Sequence, residues 1–395
     1  MRERTVLRDI VQRARHAASE DLPALADEAA RGLGATGMQL YLVDHEQREL
    51  LPLRTSAVGA GGALGIDGTL AGRAYCTMSA CPADGRDSDV RLWVPLLNGM
   101  ERLGVVGVTS PTPIAPARVP DFVAACALLA DVVVTCSHYS DTIEQVRRRA
   151  PMRMAAEVLR AQLPPLTFST GTTIISGILE PSYDVGGDAF DYAINGDTAH
   201  LALFDAVGHG SSGGMRAVML AGLALGAYRN ARRAGQDLVG IYHHIDQTVR
   251  AHDRQGLITG ILAELHQPTG RLRVISAGHP NGLIIRGGRV ATVLPTPTAL
   301  PVTMGDFRPP VVVEEALEPG DHVLLYTDGI TDARSSRGEP FGADRLTDFT
   351  LRALADELPL PETARRLVHA ILAWQDDTLT DDATLLMLRW NGPGH

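Results

Sequence analysis

Residues 180–192 read EPSYDVGGDAFDY, and residues 203–210 read LFDAVGHG. In both, a strand-like apolar run carries an Asp beside glycines: Asp188 and Asp191 in the first, Asp205 in the second. The pattern recurs downstream. Asp328 ends the apolar run LLYTDG (324–329), and Asp381 and Asp382 precede ATLLML (383–388). Each strand places its carboxylate at a sheet margin, next to a turn. A single Asp there is an ordinary turn or cap residue; recurrence at four places in one segment points beyond that.

Like charges brought within a few ångströms need a counter-charge. An all-oxygen set without Cys or clustered His favours hard ions, Mg²⁺ or Mn²⁺, over zinc. Two such ions at about 3.5–4 Å can polarise a phosphoryl group, so the implied chemistry is hydrolysis of a phosphate ester. Spacing alone does not establish that the carboxylates converge.

Around these positions, from Phe168 onward, short β-rich segments alternate with turn signals: TTIISGIL, THLALFDAV, ILAELHQPTGRLRVISAG, NGLIIRGGRVATVL, PPVVVEEAL, DHVLLYTDG and ATLLMLRW. Helical patterns occur at about 214–234, 238–253 and 361–376. Such strand runs indicate antiparallel sheets and an α+β class. A dinucleotide-binding fold is not expected, because GxGxxG and a βαβα rhythm are both missing.

The 395 residues suggest two or three domains. All 36 basic residues are Arg, so a Walker A loop, a kinase-type lysine and Schiff-base chemistry are excluded. A net charge of -10 argues against nucleic-acid or membrane partners. Cys76, Cys81, Cys126 and Cys136 form no CxxC pair. The opening MRERTVLRDIVQRARHAASE has no apolar core, and 122–135 reads as a buried helix, so a cytoplasmic location is expected.

Before residue 150 the pattern differs. Residues 1–33 read as helix, with Pro23 opening a second piece. Strands are expected at 38–43 and 50–53, then a Gly-rich loop at 59–68 with GTLAGRAY (68–75). A hairpin follows at 90–97 and 103–109 around Asn98-Gly99, and then a helix from 119 to 138 that could continue to Arg149. Pro151 interrupts, and MRMAAEVLRAQL (152–163) is helical again.

This order resembles a GAF-type sensor domain over about residues 20–140. The ordered motifs EPSYDVGGDAFDY, LFDAVGHG, ISAGHPNGLIIR (275–286), LLYTDGITDAR (324–334) and DDATLLML (381–388) resemble the SpoIIE-like branch of metal-dependent, PPM-type protein serine/threonine phosphatases over about residues 150–390. QLPPL (162–166) is similar to that family's lead-in helix end. The expected organisation is a GAF-like α/β regulatory domain at 1–140, a helical linker at 141–165 and a phosphatase domain at 166–392.

The resemblance implies an α-β-β-α sandwich of two antiparallel sheets with two Mn²⁺ or Mg²⁺ ions between them. Asp205 would bridge both ions. The Ala206 carbonyl would bind one, with Asp188 nearby, directly or through water. Asp328 and Asp381 would hold the other, Asp382 would orient that position, and Asp191 would support the turn. Asp205 and Asp188 would be the catalytic pair on this resemblance, and a hydroxide held by the ions would attack phosphorus. Gly187, Gly208 and His209 support the site, as Gly186 and Gly210 suit tight turns. His209 either protonates the departing oxygen or orders its loop. His279 is a structural or catalytic turn residue, and Arg216 either meets phosphate or is a solvated helix charge. Ala189 replaces a bulkier aromatic, and Ala206 stands where Gly or Val is common, but only its carbonyl is used.

The implied activity is removal of phosphate from phosphoserine or phosphothreonine. The partner would be a STAS-type anti-anti-sigma protein, and the chain a homodimer through its linker or N-terminal domain. Two other readings stay open: a ligand-sensing signalling module without turnover, and a metal-dependent phosphodiesterase.

Overall fold

Residues 37–43 (GMQLYLV) alternate two sets of apolar side chains, and such a strand needs cover on both faces. The computed structural model supplies it. It describes residue 8 and residues 10–54, 62–84, 89–184, 186–208, 210–294, 300–304, 310–376, 379 and 381–393. The chain divides into two units, Met1–Pro151 and Met152–His395.

In the first unit the elements are α1 (Leu22–Gly32), β1 (Gly37–Val43), β2 (Glu49–Pro52), β3 (Leu64–Gly65), α2 (Leu70–Thr77), β4 (Cys81–Pro82), β5 (Val90–Asn98), β6 (Glu101–Thr109), α3 (Val119–Ser137) and α4 (Thr142–Arg147). The strands form one antiparallel sheet in the order β3-β2-β1-β6-β5-β4. Leu40 and Leu42 pack with Leu25 of α1 and with Phe122 and Leu129 of α3. Tyr41 and Val43 pack on the opposite face with Tyr75 of α2 and with Trp93. The segment 116–137 is long and apolar enough to cross a membrane by length and composition; one face of it, with Phe122, Ala125, Cys126 and Leu129, is buried in this core.

Two expectations need correction here. GTLAGRAY is not all loop: Leu70–Thr77 is helical, and the Thr69 hydroxyl caps it by accepting the Gly72 N–H at 2.9 Å. Gly72 lies so close to Ile66 that a Cβ would stand 1.7 Å from its carbonyl oxygen. Helix α3 does not continue to Arg149. It ends at Ser137, and a new turn starts at Thr142, whose N–H donates to the Ser140 hydroxyl at 3.2 Å.

In the second unit α5 (Met154–Arg160) precedes β7 (Thr167–Ser169), β8 (Thr173–Glu180), β9 (Asp188–Asn195) and β10 (Thr198–Ala206). Then come α6 (Gly210–Arg233), α7 (Leu238–His252), β11 (Ile258–His266), β12 (Arg271–Ala277), β13 (Leu283–Arg286), β14 (Arg289–Val293) and β15 (Val313–Ala316). The chain closes with β16 (His322–Tyr326), α8 (Asp328–Thr331), α9 (Gly342–Ala355), α10 (Leu360–Trp374) and β17 (Ala383–Trp390). Two antiparallel sheets result, in the orders β15-β12-β11-β10-β9 and β14-β13-β16-β17-β8-β7.

Strand parity shows how the layers stack. Phe204 of β10 meets Tyr228 of α6 edge-on, with ring centroids 6.1 Å apart, so even positions of β10 face helices. Leu201 and Leu203 are on the opposite face and share one core with Ile175, Leu325 and Leu386 of the other sheet. A Cβ on Gly177 of β8 would stand 2.5 Å from the Phe190 ring of β9, so the sheets are in direct contact. The other sheet's outer face, with Leu324, Leu385 and Met387, packs with Leu367 and Ile371 of α10. The unit is an α-β-β-α sandwich.

Candidate active site

Asp188 and Asp205 are directly opposite each other across the β9–β10 pair. Parity turns both toward the space between the sheets, with Asp188 buried. Two like charges across a strand pair destabilise it. Thr327 and Thr384, at odd and even positions of the β16–β17 sheet, reach the same margin from the other side. The Thr327 N–H donates to the Thr384 carbonyl at 3.0 Å, which ties the two chain segments together there.

Asp382 is buried, and its carboxylate accepts from the N–H groups of Gly186 (2.7 Å), Gly187 (2.8 Å) and Asp188 (3.0 Å). It thereby fixes the turn that leads into β9. Gly187 has no room for a side chain: a Cβ would stand 2.3 Å from the Ala206 carbonyl oxygen. The Ala206 N–H in turn donates to the Gly187 carbonyl at 3.2 Å. Asp328 opens α8, and Gly329 beside it approaches the Asp382 backbone closely enough to exclude any Cβ. Gly208 follows β10 in the described part of the loop; His209 lies outside the described residues.

Electrostatics link these carboxylates into one chain of neighbours. Burial, then Asp382 and Asp205, push Asp188 well above the usual carboxylate range. Burial pushes Asp382 up to about 6, with Asp381 adding to it and the three turn amides opposing. Burial, then Asp381 and Asp332, raise Asp328. Among the described residues, no three His, Cys, Asp or Glu side chains close into a ready-made ion-binding group. Asp382 is spent on the turn amides, and Asp188 accepts a hydrogen bond from the Thr327 hydroxyl. The donors left around the margin are hard oxygens carrying excess negative charge, and they suit divalent Mg²⁺ or Mn²⁺.

The family model for stage II sporulation protein E (SpoIIE) matches residues 195–391, a span that includes Asp205, Asp328, Asp381 and Asp382. The C-terminal unit belongs to the SpoIIE family of PPM-type phosphatases. This SpoIIE-type unit has relatives of low identity. Phosphoserine phosphatase RsbU of Bacillus subtilis is 22% identical over 246 residues, which cover 61% of this chain and 70% of that protein. The solved RsbU and RsbW domains of a Mycobacterium tuberculosis protein are 25% identical with a TM-score of 0.49, covering 57% of this chain and 63% of that one. The SiaA-PP2C domain of Pseudomonas aeruginosa is also 25% identical with a TM-score of 0.49, covering 60% of this chain and 94% of that one.

Other sequence-derived candidates in the SpoIIE-type unit lie elsewhere. Asp191 does not support the turn. Three residues beyond Asp188, it faces the helices and pairs with Arg229 at 2.8 Å and Arg232 at 3.0 Å. Ala189 shares that face and is buried. Arg216 is held by both oxygens of Asp253, at 2.7 and 2.9 Å. His279 is buried, with Nδ1 3.0 Å from the Thr259 hydroxyl. Burial pushes its pKa down to about 3, so it is neutral and structural at ordinary pH. The residues missed by sequence reading are Thr327 and Thr384. Their signal was the Thr inside each Asp motif, in YTDG and DDAT.

Proposed function

We propose that this unit hydrolyses phosphoserine or phosphothreonine on a regulatory protein, a STAS-type antagonist of an anti-sigma factor. One observation supports this most: five Asp residues from four separate stretches of sequence collect at one margin between two sheets. Under this reading Asp188, Asp205 and the Ala206 carbonyl would hold one ion, and Asp328 and Asp381, with Asp205, would hold a second. When bound, such ions would supply phosphoryl-charge neutralisation and a lowered water pKa. The chain's own residues do the positioning. Asp382 fixes the turn, and Gly187 lets the Ala206 carbonyl approach β9. Without cations the carboxylates would repel a phosphate dianion, so the margin is unsuited to binding substrate by itself.

The phosphoserine part of this assignment is supported by the Bacillus subtilis relative named as a phosphoserine phosphatase. The proposed setting is the cytoplasm, where the four free cysteines suit a reducing compartment. The first unit is proposed as a GAF-like sensor, which its six-stranded antiparallel sheet with helices on both faces supports. A homodimer is proposed as well, and Met154 and Val158, exposed on α5, support it. The test is a substrate panel with Mn²⁺: a phosphoserine STAS protein, a phosphotyrosine peptide and a cyclic dinucleotide. Release of phosphate from the first is expected. Hydrolysis of the cyclic dinucleotide with the phosphoprotein untouched would replace this reading by a phosphodiesterase.

A further inference from the structure

We propose that Thr327 is a positioning residue for the metal centre, its hydroxyl holding the Asp188 carboxylate in the orientation that receives a cation beside Asp205. The inference rests on the two-ion reading above and adds a residue to it.

The hydroxyl's direction is fixed by its neighbours. Thr327 Oγ1 lies 2.7 Å from Asp188 Oδ2 and 3.1 Å from the backbone nitrogen of Thr384. A backbone N–H can only donate, so the hydroxyl accepts from Thr384. Its single proton has two acceptors in reach, and the Asp188 carboxylate at 2.7 Å is far nearer than the Thr384 carbonyl at 3.5 Å. Both residues are buried, Thr327 at 1% and Asp188 at 3% exposure, so water does not compete for that proton. The contact spans 139 residues of sequence and joins the two sheets. The carboxylate it reaches is the one directly across the strand pair from Asp205. Thr327 also immediately precedes Asp328, so one dipeptide serves both proposed ion positions. Partners that orient a ligand in this way typically change metal affinity by about 10–100-fold when removed.

The experiment is calorimetric titration of the full chain with Mn²⁺, comparing wild type, Thr327→Val, Thr327→Ser and Asp191→Asn. Thr327→Val keeps the shape and removes the proton; it should weaken Mn²⁺ binding by about 10–100-fold. Thr327→Ser should restore binding close to wild type. Asp191→Asn disturbs β9 on its helix-facing side, so it should lower the melting temperature while leaving Mn²⁺ affinity in place. Unchanged affinity in Thr327→Val, or a Ser variant as weak as the Val variant, would overturn the proposal. Should Thr327→Val not fold, Thr327→Cys, with its weak donor, takes its place: weakened binding supports the proposal, and unchanged binding overturns it. Wild type that binds no Mn²⁺ would overturn the two-ion reading itself, and this proposal with it.

Discussion

At the scale of single residues, burial decides which side chains are available for chemistry. His279 was a candidate because it lies in the AGHP motif, yet its surroundings strip water from the ring and keep it neutral. This has a consequence for stability. The unfolded chain takes up a proton on this imidazole as the pH falls through its usual 6.5, whereas the folded chain resists until about 3. The contribution is therefore complete above the unfolded value and is lost as the pH falls below it. At pH 5 the loss is about 2 kcal/mol. Urea unfolding of wild type and His279→Gln at pH 7 and pH 5 tests this. Wild type should lose about 2 kcal/mol more than the variant between the two; equal losses would mean that the folded imidazole is already charged. Asp191 carries a related lesson. Its place three residues after Asp188 on a strand puts it on the opposite face, a parity that could have been read from the sequence. What the sequence could not give was Arg229 and Arg232, which reach it from a helix.

At the scale of elements, the strands were the most legible part. Alternation and turn residues located β1, β5, β6, β10 and β17 to within a few residues. The helix α9 (Gly342–Ala355) was missed although Leu346, Phe349, Ala353 and Leu354 recur at helical spacing and line its inner face. Leu346 and Ala353 are separated by Thr350, which is fully buried and gives its hydroxyl proton to the Leu346 carbonyl at 2.7 Å. The β9–β10 pair also allows a sharp test. Gly187→Ala forces a methyl against the Ala206 carbonyl, 2.3 Å away, and both are backbone-bound. The strands must part there, at a cost of about 2 kcal/mol or more, and Mn²⁺ affinity should fall with stability. Gly171→Ala, with nothing within 4 Å of the added carbon, is the control and should be near neutral. A Gly187→Ala variant as stable as the control would show that this approach is not a constraint.

At the scale of the molecule, the carboxylates come together through the packing of two sheets. β9 and β10 bring Asp188 and Asp205; β16, β17 and the turns beside them bring Thr327, Asp328, Asp381 and Asp382. Sequence reading supplied both halves as motifs, and the resemblance joined them. Periodicity alone could not, because no local pattern encodes which sheet lies on which. The division between the units falls at Pro151–Met152. Helix α4 belongs to the first unit, and α5, with Ala156 and Leu159 in the sandwich core, to the second.

The central claim is that these carboxylates act together through divalent ions to remove phosphate from a protein. Phosphate release from a phosphoserine protein, measured with and without Mn²⁺ for wild type and Asp205→Ala, tests it most directly. Release is expected from wild type only when Mn²⁺ is present, and none from the variant although its circular dichroism spectrum matches wild type. Release without metal, or undiminished release by Asp205→Ala, would contradict it.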